Sequence, residues 1–142
     1  LIVNFVQANK LGKPDSNSSN LIITFSNDFY KFYYALSLAS TLKATGKDVS
    51  IFISGYACHF IKKYWQDYDK EGINEKLKKK KMGSIEEMFA YCKELEVEIF
   101  YCESAIEFLN INTKEITNLV SIKPKSMYSV LNSYKQGEII FI

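Results

Sequence analysis

With 142 residues, 47% hydrophobic and 24% charged, the chain has the size and make-up of one globular domain with its own core. A formal net charge of +2 is too small to argue for nucleic acid, and no stretch approaches the roughly 20 apolar residues of a membrane span. The 3 cysteines cannot all pair within the chain and lack disulfide-like spacing, so free thiols in a reducing, cytoplasmic setting are expected.

Taken in order, residues 1–20 read as a peripheral segment and residues 21–142 as the folded domain. Leu1 to Val6 is too short for a signal h-region and lacks a basic flank, and Lys10 to Asn20 is polar and turn-rich. Leu21 to Phe25 is a short apolar run of the kind that fills the middle of a parallel sheet, and Ser26-Asn27-Asp28 then supplies N-cap candidates. From Phe29, the residues Phe32, Leu36, Ala39 and Leu42 recur at helical spacing, and Gly46 closes that helix. Val49 to Ile53 reads as a second strand, ending at Ser54-Gly55, and a helix is expected over Ala57 to about Trp65. Gln66 to Gly83, with its run Lys78 to Lys81, reads as a solvated loop.

Ser84 with Glu87 makes a capping box before an apolar helical face of Ile85, Met88, Phe89, Cys92 and Leu95. Val97 to Tyr101 is β-branched or aromatic, as a buried strand requires, and it ends in Cys102. Ser104 with Glu107 reads as a second capping box, opening a helix to about Leu109. Leu119 to Ile122 makes a fourth strand, Pro124 opens a last helix through Met127, Val130, Leu131 and Tyr134, and Glu138 to Ile142 gives a final strand. Strands alternating with helices indicate a single α/β domain around a mainly parallel sheet of about five strands with right-handed crossovers. Functional groups of such sheets collect at the carboxyl ends of strands, which puts Ser26 to Asp28, Ser54 to Cys58, Cys102 and Lys123 on one rim.

Cys102 is the candidate that chemistry singles out. A strand end followed at once by a helix start offers free amides to an anion, and the thiolate is the reactive form of cysteine. Against this stands a half-buried structural cysteine, with the adjacent Glu103 opposing ionisation. Cys58 could share the rim as a second thiol, and its neighbour His59 could lower the Cys58 pKa or move a proton. Residues adjacent on a helix point in different directions, however, so the pair need not cooperate. Cys92 falls in the apolar register of its helix and reads as core. Gly55 allows close ligand approach or simply makes the turn. There is no C-x-x-C pair and no Gly-rich phosphate loop, so no metal and no nucleotide cofactor are expected.

Three stretches make the chain resemble the DsrE/DsrF-like family of sulfur metabolism and sulfur relay. They are the helix-to-strand passage Phe29 to Ile53 with its Ala44-Thr45-Gly46-Lys47-Asp48-Val49 turn, Gly55 after it, and Cys92 to Ser104. The resemblance covers Leu21 to Ile142, and Glu96 departs from it where relatives carry glycine. It implies a flavodoxin-like three-layer sandwich that assembles as a homo-oligomer, a trimer or hexamer. It further implies that the cysteine at position 102 accepts a sulfane sulfur as a persulfide and passes it to a partner's thiol. On this reading Gly55, His59, Glu103 and Ser104 border the binding site, and the partners are sulfur-donor and sulfur-acceptor proteins rather than nucleic acid or membrane. Two alternatives stand beside it. One is a non-catalytic oligomeric binding or assembly module; the other is a small-molecule or flavin-binding protein using the same rim.

Overall fold

The computed structural model describes residues 19–134 and 137–142. The expectations for residues 1–18 lie outside the described residues. Five strands form one sheet: β1 (Ser19–Thr24), β2 (Asp48–Ile53), β3 (Glu98–Cys102), β4 (Ile122–Lys125) and β5 (Ile139–Phe141). The order across the sheet is β4-β3-β2-β1-β5, and every pair is parallel. The central strands are buried on both faces, as their unbroken apolar runs demand, with Ile22, Ile51 and Ile99 in one row and Ile23, Phe52 and Phe100 in the next.

The expected first helix is α1 (Phe29–Ala44), started by the Asp28 carboxylate accepting from the Lys31 amide at 3.0 Å. Its buried Phe32, Leu36 and Ala39 are the residues whose spacing marked it. Next to it packs α3 (Ile85–Glu94), with the Phe32 and Phe89 rings 6.1 Å apart and the Cys92 thiol directed at the Leu36 carbonyl, 3.8 Å away. The Ser84–Glu87 capping box closes in both directions. From β1 to β4 the strands step one way across the sheet, and the return to β5 runs the other way. Right-handed crossovers then put the returning helix on the face opposite α1, giving three layers.

Three elements depart from the sequence reading. The stretch expected as a helix over 57–65 is two 3₁₀ segments, Gly55–Ile61 and Trp65–Tyr68, with the chain extended at Lys62 between them. Gly55 has φ +50°, and a Cβ there would collide with the Phe25 ring, so the turn belongs to glycine. The expected loop over 66–83 contains a helix, α2 (Ile73–Lys79). Its signal was Asp69, whose two carboxylate oxygens accept from the Ile73 and Asn74 amides at 2.8 and 2.9 Å. The buried Asn74 then accepts from the Ile85 amide at 2.8 Å, which fastens α2 to the start of α3.

The fourth strand lies three residues later than expected, and Pro124 sits inside it rather than opening a helix. An edge strand has an outward amide with no partner, so a residue without an N–H costs nothing there. The following helix, α5 (Met127–Ser133), is capped by Ser126, whose hydroxyl accepts from the Ser129 amide at 3.1 Å.

Candidate functional site

Cys102 ends β3 and is also the N-cap of α4 (Glu103–Phe108), a position serine usually takes. Ser104 therefore stands inside the first turn, and the expected Ser104–Glu107 capping box does not form. The Ser104 hydroxyl bonds the Cys102 sulfur instead, at 3.1 Å. Ser54, one residue beyond β2, sets a second hydroxyl near the same sulfur, at longer range than Ser104. The Ala105 and Ser104 amides face it at longer range and close no cap hydrogen bond of ordinary geometry.

These groups compete with burial. Removal from water pushes the Cys102 thiol up, but the Ser104 hydroxyl, the Ala105 amide and the Ser54 hydroxyl together outweigh it and hold the thiol below its ordinary value. Cys102 is only 3% exposed, yet it lies shallower than Cys58 and Cys92. The adjacent Glu103 is exposed and acts on the Tyr101 phenol, which it helps to raise after burial. It does not oppose the Cys102 thiolate. Removing the Ser104 hydroxyl takes away the largest favourable contribution, so Ser104→Ala is expected to move the alkylation midpoint of Cys102 upward, read by mass spectrometry across pH.

Cys58, in the first 3₁₀ segment, does approach Cys102. Its sulfur lies against the Cys102 backbone amide and points to the Ile53 carbonyl at 3.5 Å. Burial first, and the neighbouring Cys102 charge second, push the Cys58 thiol up to about 12. The two environments divide the pair: Cys102 gives up its proton the more readily, and burial holds Cys58 as a thiol. Cys92 is core, as expected, with burial pushing its thiol up to about 12.

His59 turns away from both sulfurs. It stacks on Tyr68 with centroids 4.1 Å apart, burial and then Lys62 hold its pKa down, and its buried Nδ1 finds no partner among the described residues. With Asp28, Tyr30, Tyr56 and Asp69 it lines a cavity of about 610 Å³ that Cys102 does not border. At Gly55 the Phe25 ring fills the space where a side chain would stand. Of the expected site residues, the structure thus groups Cys102, Ser104 and Cys58, with Ser54 from the predicted rim, and sets His59 and Gly55 apart.

Lys123 pairs with Phe100 in mid-strand rather than standing on the rim. The lysine at the strand end, in register with Cys102, is Lys125, and the sequence reading missed it. The signal lay in Ser126 before Met127, an N-cap that leaves Ile122 to Lys125 free to be strand. Among the described residues, no three His, Cys, Asp or Glu side chains converge as metal ligands, and no helix is long and apolar enough to cross a membrane.

The arrangement of a thiol at a strand end, with its own hydroxyl donors, sits within residues that the model of the DsrE/DsrF-like family matches, 20–141. The chain belongs to this family. Among solved structures, the crystal structure of the ychN protein from E. coli is similar in fold, with a TM-score of 0.66 over 88% of this chain and 99% of that one. Identity between the two is 12%, so the likeness concerns the fold. A comparison with curated proteins gives no match.

Proposed function

We propose that this DsrE-like chain is a cytoplasmic sulfur-relay protein that carries sulfane sulfur as a persulfide on Cys102. The observation that carries the reading is the Ser104 hydroxyl on the Cys102 sulfur, 3.1 Å away, which with the nearby Ser54 hydroxyl and Ala105 amide favours the thiolate against burial. Sulfur transfer of this kind is attack by a thiolate on a sulfane sulfur, followed by release of that sulfur to a second thiolate. Family membership supports it at the level of sulfur relay. The sulfur comes from a donor protein or small donor and goes to a partner protein's thiol.

A second copy of the chain is the other partner in this reading. Among the described residues, the edge strand β5 leaves an apolar face open, with Phe141 67% and Tyr34 55% exposed beside Phe25 and Ile139. An exposed aromatic and aliphatic face rarely stays free in a lone domain, and a homo-oligomer, trimer or hexamer, would cover it.

The near-complete covering of Cys102 favours a second reading, a non-catalytic assembly module in which the thiol is structural. One experiment separates the two. Incubation with a sulfane donor, then mass spectrometry of the native protein, should find one added sulfur on the Cys102 peptide, lost again on addition of a small thiol. No added sulfur at Cys102 under conditions that load a free cysteine would leave the assembly module standing.

A further inference from the structure

Cys102 stands in register with Lys125 across the β3–β4 pair. Register partners project from the same face of a sheet, and so do residues two apart along one strand. Phe100 therefore shares a face with Cys102, and the Lys125 ammonium lies 4.1 Å from the centroid of the Phe100 ring. The cation is thus on the sulfur's own side of the sheet, drawn back along β3 by about 6–7 Å, two residues of strand rise. The ion pairs among the described residues involve Lys43 and Lys78, not Lys125. A ring face is a loose hold, and the flexible four-carbon stem of lysine lets a rotamer change carry the charge forward.

The site has a use for such a charge. A thiolate attacking an anionic sulfane donor brings like charges together. The Ser104 hydroxyl on the sulfur and the Ser54 hydroxyl near it carry no charge. We propose that Lys125 swings from the Phe100 ring to the Cys102 sulfur and makes the site selective for small anionic sulfane donors of the thiosulfate class.

This inference rests on the relay reading and names its donor. The Cys102 thiolate attacks the outer sulfur of thiosulfate and forms a new S–S bond. The old S–S bond breaks, and sulfite leaves with the electron pair. A persulfide anion remains on Cys102, so atoms, electrons and charge balance without an oxidant. The Lys125 ammonium keeps its proton throughout and compensates the charge that collects on the departing sulfite.

The test compares alkylation of Cys102 by iodoacetate, an anion, and iodoacetamide, its neutral analogue, in the full chain and in Lys125→Gln and Lys125→Arg. Loss of one unit charge near the sulfur is expected to slow iodoacetate about five- to tenfold in Lys125→Gln. Iodoacetamide should change less than about twofold, and added salt should shrink the preference in the parent. Lys125→Arg should restore most of the iodoacetate rate. An unchanged ratio of the two rates, or an equal fall in both, overturns the role of Lys125 while leaving Cys102 a reactive thiol. Silence of Cys102 toward both reagents would sink the relay reading itself, and the donor assignment with it.

Discussion

Cys102→Ser is expected to abolish sulfane-sulfur uptake and transfer while leaving the fold as stable as the parent or more so. The loss should reach at least about a hundredfold, because a hydroxyl at neutral pH supplies almost no anion and forms no persulfide. The fold should survive because Cys102 is the N-cap of α4, and serine is among the preferred residues at that position. Its hydroxyl would also find Ser104 and Ser54 as partners. A thermal melt read beside the uptake assay therefore separates chemistry from folding. Retained uptake in Cys102→Ser would falsify the assignment of the acceptor. A collapse of the melt would show instead that the sulfur is a structural group. Cysteine at a place better suited to serine is the trade of stability for reactivity expected of a functional residue.

Raising the pH from 8 to 10 is expected to remove about 3–4 kcal/mol of folding stability through Cys58 and Cys92 alone. Both thiols are fully buried and pushed up to about 12 by burial, Cys58 also by the nearby Cys102 charge. In the unfolded chain each loses its proton near about 8.5. The folded state therefore holds protons that the unfolded state gives up, so stability is intact below that value and falls as pH climbs toward 12. Each thiol contributes about 1.4 kcal/mol per pH unit within that window. Cys102 runs the other way: its depressed value adds stability above about 8.5 that is lost as pH falls through the folded value. Urea unfolding at the two pH values measures the slope. Cys92→Ala should roughly halve it, and a slope unchanged in that variant would mean that Cys92 ionises freely in the folded protein.

Much of the fold was legible because local and tertiary preferences agree. The apolar runs at Leu21, Val49 and Val97 are strands, and the spacing of Phe32, Leu36 and Ala39 is the inner face of α1. Ser84 with Glu87 marked a helix start in the right place. The misreadings occur where two residues compete for one role. Ser104 and Cys102 compete to cap α4, and the strand's pairing with β4 carries through Cys102, so the cysteine becomes the cap and the serine, inside the first turn, turns to the sulfur. Pro124 and Ser126 compete in the same way, and an open sheet edge admits the proline as strand. Asp69 organises α2 from outside the helix with two amide bonds, a signal hidden in a polar stretch dominated by lysine. Cys102 could be singled out from its position between strand and helix. Ser54 and Cys58, from the one segment after β2, were legible as rim neighbours, whereas Lys125 comes from β4 and only the sheet register sets it beside Cys102.

The central claim is that Cys102 is the reactive thiolate of this protein, and the pH dependence of alkylation at each cysteine of the native protein tests it most directly. Cys102 should react fastest, with a midpoint below the ordinary thiol value of about 8.5, while Cys58 and Cys92 stay silent until the protein unfolds. A Cys102 that reacts only on unfolding, or whose midpoint lies at or above that value, would contradict the account and make the sulfur part of the core.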